Sequence, residues 1–172
     1  MKILVPIDGS KQSEKALKYA VNLQQQLFSG NGKNKDNKST PKNEIIILNV
    51  IPHFHIPMGF ERSMKSLETG KTISLTDYIK EMNEKIQLEW ADRLSAIKRK
   101  YESPEITIRT EILAAGSSSS IAEHIINFSN KENIDLLVIG NIGLSRASKV
   151  KALGSVSRNV SEMSSCPVLI VP

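Results

Sequence analysis

The chain has 172 residues, 40% apolar and 24% charged, enough to bury a globular core without disulfides or metal. Its one cysteine, Cys166, excludes an internal disulfide and suggests a reducing, cytoplasmic setting, while the absence of any apolar run near about 18 residues argues against a membrane span or signal peptide. The net charge of +5 would suit nucleic acid, a membrane surface or a phosphorylated ligand, but four lysines fall in Ser29 to Asn43 without arginine or aromatic residues to stack on bases, so neither nucleic acid nor membrane is expected as a partner.

The segment KILVPID, Lys2 to Asp8, predicts a buried first strand. Lys11 to Phe28 predicts a helix, because Ala16, Ala20, Leu23 and Leu27 recur at steps of three and four, and Ser10 is placed to cap it. Residues 29–43 read as a mobile, solvated insertion. EIIILNVI, Glu44 to Ile51, is a continuous apolar run, as expected of a strand covered on both faces in a parallel sheet. Residues 52–73 read as a second irregular insertion.

A long helix is expected from about Ser74 to Tyr101. Ile79, Met82, Ile86, Trp90, Leu94, Ile97 and Tyr101 form one apolar stripe along it, read as packing on the sheet. In EITIRTEIL, Ile106, Ile108 and Ile112 alternate with Thr107, Arg109 and Glu111, the pattern of an edge strand with one wet face. Ser118 to Phe128 predicts a helix with Ile121, Ala122, Ile125 and Ile126 toward the core, and IDLLVIG, Ile134 to Gly140, a fourth buried strand. Gly154 to Ser164 predicts a short helix, and CPVLIVP, Cys166 to Pro172, a closing strand. This βαβαβαβαβ order implies an α/β fold: one Rossmann-like, doubly wound domain over residues 1–172, with a five-stranded parallel sheet and helices on both faces.

Ligands in open α/β sheets bind beyond the carboxyl ends of the strands, where strand order reverses. The first strand ends in Pro6-Ile7-Asp8-Gly9-Ser10 and the fourth in Ile139-Gly140-Asn141-Ile142-Gly143. Were these strands neighbours, Asp8 and Gly140 would line one crevice. The carboxylate would accept hydrogen bonds from ribose hydroxyls, and the glycines would let backbone approach a ligand. Gly154-Ser155 opens the last helix, whose free N–H groups and dipole attract anions, with Ser155 and Ser157 adding hydroxyl donors. Arg146, Lys149 and Lys151 lie in the loop between. The same glycines also suit plain turns, and Ser155 an N-cap. The segment is neither a Walker A loop nor G-x-G-x-x-G. His53-x-His55 lacks a third ligand for a metal, His124 reads as structural or exposed, and Cys166 as buried and inert. No Ser-His-Asp or paired-carboxylate arrangement stands out, so no catalytic residue is assigned.

"ILVPIDGS", "IIILNVI", "IDLLVIGNIG" and "LGSVSRNV…SSCPVLIVP" together resemble a universal stress protein domain over nearly the whole chain. Nucleotide-binding members of that family carry G-x2-G-x9-G-(S/T). The resemblance implies strand order 3-2-1-4-5 and a homodimer joined through the last strand. It implies that Asp8 holds ribose and that Pro6, Ile7 and the backbone of Val50 frame adenine. Gly140 and Gly143, flanked by Ile139 and Ile142, would approach ribose and phosphates, and Gly154, Ser155, Val156 and Ser157 would bind phosphates. The ligand would be ATP or AMP, with Mg2+ held through the phosphates, in a cytoplasmic stress-response or signalling switch with at most slow ATP hydrolysis. A protein-interaction module of the same fold that binds no nucleotide is the alternative. The chain departs from the pattern in two places. Ten residues rather than nine separate Gly143 from Gly154, and Asn141-Ile142 replaces a small polar residue followed by His or Arg. The extra residue is expected to be absorbed between Leu144 and Leu153, leaving an anion site at the ends of the loop.

Overall fold

The structure is a computed structural model that describes residues 1–30, 43–52, 62–104, 106–116, 119–144 and 153–172. Most of the lysine-rich segment, His53, His55, Arg146, Lys149 and Lys151 lie outside the described residues.

The central sheet contains β1 (Lys2–Pro6), β2 (Glu44–Pro52), β5 (Thr107–Ala115), β6 (Leu136–Gly140) and β7 (Val168–Val171). Their order is β5-β2-β1-β6-β7, all parallel, which in chain order of the five sheet strands is the expected 3-2-1-4-5. Strand β1 is therefore flanked by β2 and β6, and the ends of β1 and β6 lie side by side. The apolar runs are apolar because both faces are covered. Ile45 and Ile47 of β2 pack with Ala16, Leu17 and Ala20 of α1 (Lys11–Gly30) and Leu94 of α2 (Leu75–Tyr101). Ile46 and Leu48 face the other way, into a cluster with Ile125 of α3 (Ile121–Glu132) and Val160 of α4 (Ser155–Met163). Each fully buried isoleucine contributes about 1.5–3 kcal/mol by leaving water. Among the described residues no helix is long and apolar enough to cross a membrane.

The helix starts follow from local capping chemistry. Ser10 Oγ accepts the Ser13 N–H at 3.1 Å, as expected for the cap of α1. Helix α3 begins and ends later than the expected Ser118 to Phe128. Ser120 and Glu123 form a reciprocal capping box, and Asn133 ends the helix in the left-handed region at φ 52°. At the edge of the sheet, β5 carries Arg109, which binds Glu132 at 2.5 Å and lies 3.6 Å from Glu44 and 3.8 Å from Glu111. The charged side of this strand is thus an ion-pair cluster joining β2, β5 and α3.

Residues 52–73 are not wholly irregular. Strands β3 (Ser63–Lys65) and β4 (Thr72–Ser74) form an antiparallel hairpin just ahead of α2. Gly70 turns it at φ 68°, and buried Ser66 donates its hydroxyl to Glu81 of α2 at 2.8 Å, while Glu81 also accepts the Leu67 N–H at 2.9 Å. Only Leu94 of the apolar stripe on α2 is fully buried; Trp90, Ile97 and Tyr101 are part-buried against the core.

Candidate functional site

Asp8 follows the end of β1, where Gly9 at φ 85° turns the chain into α1. Its Oδ1 accepts the Ser10 N–H at 2.9 Å, and its Oδ2 accepts the Leu144 N–H at 3.1 Å. Burial pushes the Asp8 pKa up. Hydrogen bonds from Ser10, through hydroxyl and N–H, then from the Ser13 hydroxyl and the Leu144 N–H, outweigh that and hold the carboxyl below the ordinary aspartate range. Asp8 is therefore a hydrogen-bonded anionic acceptor. Gly143 is required by this contact: a Cβ there would lie 2.6 Å from Asp8 Oδ2.

The loop after β6 is closed at its base by one carbonyl. Asn141 O accepts the Gly154 N–H at 2.8 Å and the Ser157 hydroxyl at 2.8 Å, while the Asn141 N–H donates to Val171 O of β7 at 2.8 Å. The two ends of the glycine motif therefore meet despite the longer spacing. Two expectations change in detail. Gly140 does not clear space for a ligand, because its missing Cβ faces the backbone of Gln12 in α1 at 2.8 Å; it is the close-packing point of strand and helix. Ser157 is not a spare donor, because its buried hydroxyl serves the loop backbone.

Gly154 behaves differently. Its φ of −63° suits any residue, and an added Cβ would make only ordinary contacts at 3.5 Å. Nothing in the described protein requires glycine there. Gly154 is also the N-cap of α4 without a side-chain cap bond, and the first turn of α4 carries no acidic residue. The N–H groups of that turn are left to whatever lies in front of them. Exposed Ser155 adds a hydroxyl beside them.

These features face one cavity of about 350 Å³. All twelve residues expected at the site line it: Pro6, Ile7, Asp8, Val50, Ile139, Gly140, Ile142, Gly143, Gly154, Ser155, Val156 and Ser157. Sequence reasoning did not place Asn49, Trp90, Ile121 or Ile125 there, yet they line it as well. Asn49 carried a signal, being the one polar residue in the apolar run Ile45 to Ile51. Its amide donates to Ile7 O at 2.7 Å and ties the ends of β1 and β2 together. Ile121 and Ile125 gave none, since a lining isoleucine and a core isoleucine occupy the same helix face.

Trp90 reaches the cavity from α2, and the Arg93 guanidinium lies 5.0 Å from its ring centroid. His124 stands apart, where its Nε2 accepts the Gly116 N–H at 3.2 Å. Cys166 is half-buried rather than buried, with its Sγ 3.4 Å from Ser164 Oγ. Among the described residues no His, Cys, Asp and Glu group is arranged to hold a metal.

The arrangement combines an apolar slot, a hydrogen-bonded carboxylate and the open N-terminal turn of a helix. The sequence model of the Universal stress protein family matches residues 1–172. The universal stress protein YxiE of Bacillus subtilis is 32% identical over 170 residues, covering 99% of this chain and 97% of that protein. The structure of the universal stress protein UspA from Lactobacillus plantarum superposes with a TM-score of 0.72 at 19% identity, covering 100% and 97% of the two chains. That of the universal stress protein from Archaeoglobus fulgidus in complex with dAMP gives a TM-score of 0.50 at 21% identity, covering 100% and 98%.

Proposed function

Since the chain belongs to the universal stress protein family, we propose that its cavity binds an adenine nucleotide, ATP or AMP. The observation that carries this reading is Gly154: a glycine that packing among the described residues does not need, at the open start of α4, in the cavity that also holds Asp8. A phosphate at that spot would need close backbone approach and would receive the free N–H groups of the first turn, with Ser155 beside them. Asp8 keeps its two N–H bonds, from Ser10 and Leu144, while a ribose hydroxyl takes the place of the Ser10 or Ser13 hydroxyl at its remaining lone pairs. Pro6, Ile7 and Val50 supply the apolar wall that a base requires. Mg2+ enters with ATP, held through the phosphates. The Archaeoglobus fulgidus protein with dAMP supports the ligand class, being a member of the same fold that holds an adenine nucleotide.

The bound nucleotide acts as the signal of a dimeric cytoplasmic switch, and the site carries no efficient catalysis. Isothermal titration of the full chain with AMP and with Mg-ATP tests the reading. Binding at micromolar to millimolar ligand is expected, and ligand at about 100 times its Kd adds about 2.7 kcal/mol of stability. Absence of both heat and thermal shift would leave the fold as an interaction module.

A further inference from the structure

The geometry points to Trp90 as the platform on which the base of the bound nucleotide stacks, an inference that rests on the nucleotide reading above. Trp90 is the one tryptophan of the chain and, among the described residues, the one aromatic side chain lining the cavity. It comes from α2, not from the strand ends or the glycine loop that supply the carboxylate and the anion site. It lines the cavity together with Ser13 and Asn49, and the ring is left half-buried, packed on the core yet reaching the cavity.

The ring is also held in place. The Arg93 guanidinium sits 5.0 Å from its centroid and pairs with Glu14 of α1 at 3.4 Å. Arg93 itself is docked on Gly9: a Cβ at Gly9 would lie 2.8 Å from Arg93 Nη1. Arg93 does not line the cavity, so it takes ring surface without blocking the slot. A flat apolar surface fixed beside a carboxylate is what an unsaturated base needs and a sugar phosphate alone does not. Every base has a π-face, so Trp90 selects for a nucleotide over a base-free phosphate and leaves discrimination between bases to edge contacts.

The test uses the full-length protein with AMP as the probe. Indole emission of the wild type is followed during titration, and Kd is measured by calorimetry for wild type, Trp90→Leu and Trp90→Phe. Stacking predicts that AMP changes the emission along the same isotherm as the heat. It predicts that Trp90→Leu weakens AMP by about 5- to 100-fold, and that Trp90→Phe recovers most of that loss. Melting curves of the free variants show that each is folded. Emission that stays constant while calorimetry records binding overturns the proposal, as does equal affinity in all three proteins or an equal loss in both variants. A wild type that binds no AMP removes the nucleotide reading and this inference together, a result distinct from binding that ignores residue 90.

Discussion

The carbonyl oxygen of Asn141 accepts the N–H of Gly154 at 2.8 Å, so the glycine loop is closed at its base whatever the course of the residues between. Most of the residues that make up the longer spacing between Gly143 and Gly154 lie outside the described residues, but this bond fixes the start of α4 to the end of β6. The same carbonyl takes the Ser157 hydroxyl, which makes Ser157 the second tie.

Ser157→Ala removes that tie and leaves the buried pocket of the hydroxyl empty. We expect a loss of about 1 kcal/mol in unfolding free energy by urea denaturation. Nucleotide affinity should fall as well, because the start of α4 is no longer fixed. An unchanged denaturation midpoint would show that the Gly154 bond alone holds the loop.

Gly140 and Gly154 should respond in opposite ways to the same substitution. Gly140→Ala drives a methyl into the Gln12 backbone, and overpacking of this kind costs about 1–3 kcal/mol. Gly154→Ala meets only ordinary contacts and should cost under about 1 kcal/mol of stability. Its effect belongs to the ligand: about tenfold or more in AMP affinity if a phosphate sits against the backbone there. Thermal melts and titrations of the two variants side by side decide the matter, and a stable, fully binding Gly154→Ala would count against the phosphate cradle.

Asp8 links the site to pH. Its folded pKa is depressed, so the carboxylate contributes stability that is fully present above the unfolded aspartate value near 4 and is lost as pH falls through the lower folded value. Asp8→Ala should therefore lie below wild type in stability at pH 7, with the gap closing below about pH 4. Chemical denaturation across that range measures it. The same substitution should weaken AMP binding by about 1.5–3 kcal/mol, the worth of a charged hydrogen bond. A gap that stays constant with pH would mean that the side chain acts by shape alone.

Strand β7 should pair with a second copy. The bonds Leu137 N–H to Pro167 O and Asn141 N–H to Val171 O turn the odd positions of β7 toward β6. The N–H groups of Val168 and Ile170 then point outward. Light scattering at tens of micromolar should give twice the chain mass for wild type, and Ile170→Pro, which removes one outward donor, should shift it toward monomer. A strictly monomeric wild type rules this out.

Strands β1, β2 and β6 were legible because they are buried on both faces, so their apolar runs mark them directly, while the neighbourhood of β1 and β6 that brings Asp8 beside the glycine loop came from the family resemblance. Chemistry that depends on direction was not legible. A glycine looks the same whether its missing Cβ would have room, as at Gly154, or would strike a helix backbone, as at Gly140. Trp90 sits in an apolar helical stripe where spacing speaks only for packing, and its place at the cavity follows from how α2 crosses the strand ends. The β3–β4 hairpin escaped notice because strands of three mostly exposed residues have no periodicity to read; it is held by Gly70 and by the Ser66–Glu81 contact instead.

The two borders of the sheet are chemically unlike. Along β5 a newcomer strand would meet Arg109 already held by Glu44, Glu111 and Glu132, with Thr107 beside it, a border blunted by charge. Along β7 it would meet four aliphatic side chains, Val168 to Val171. Strand addition is thereby steered to one side only. If strand addition is confined to β7, the expected assembly is a closed two-fold pair rather than an open-ended ribbon, and the ion-pair cluster around Arg109, which fastens β5 to α3, would also be what blunts the other border.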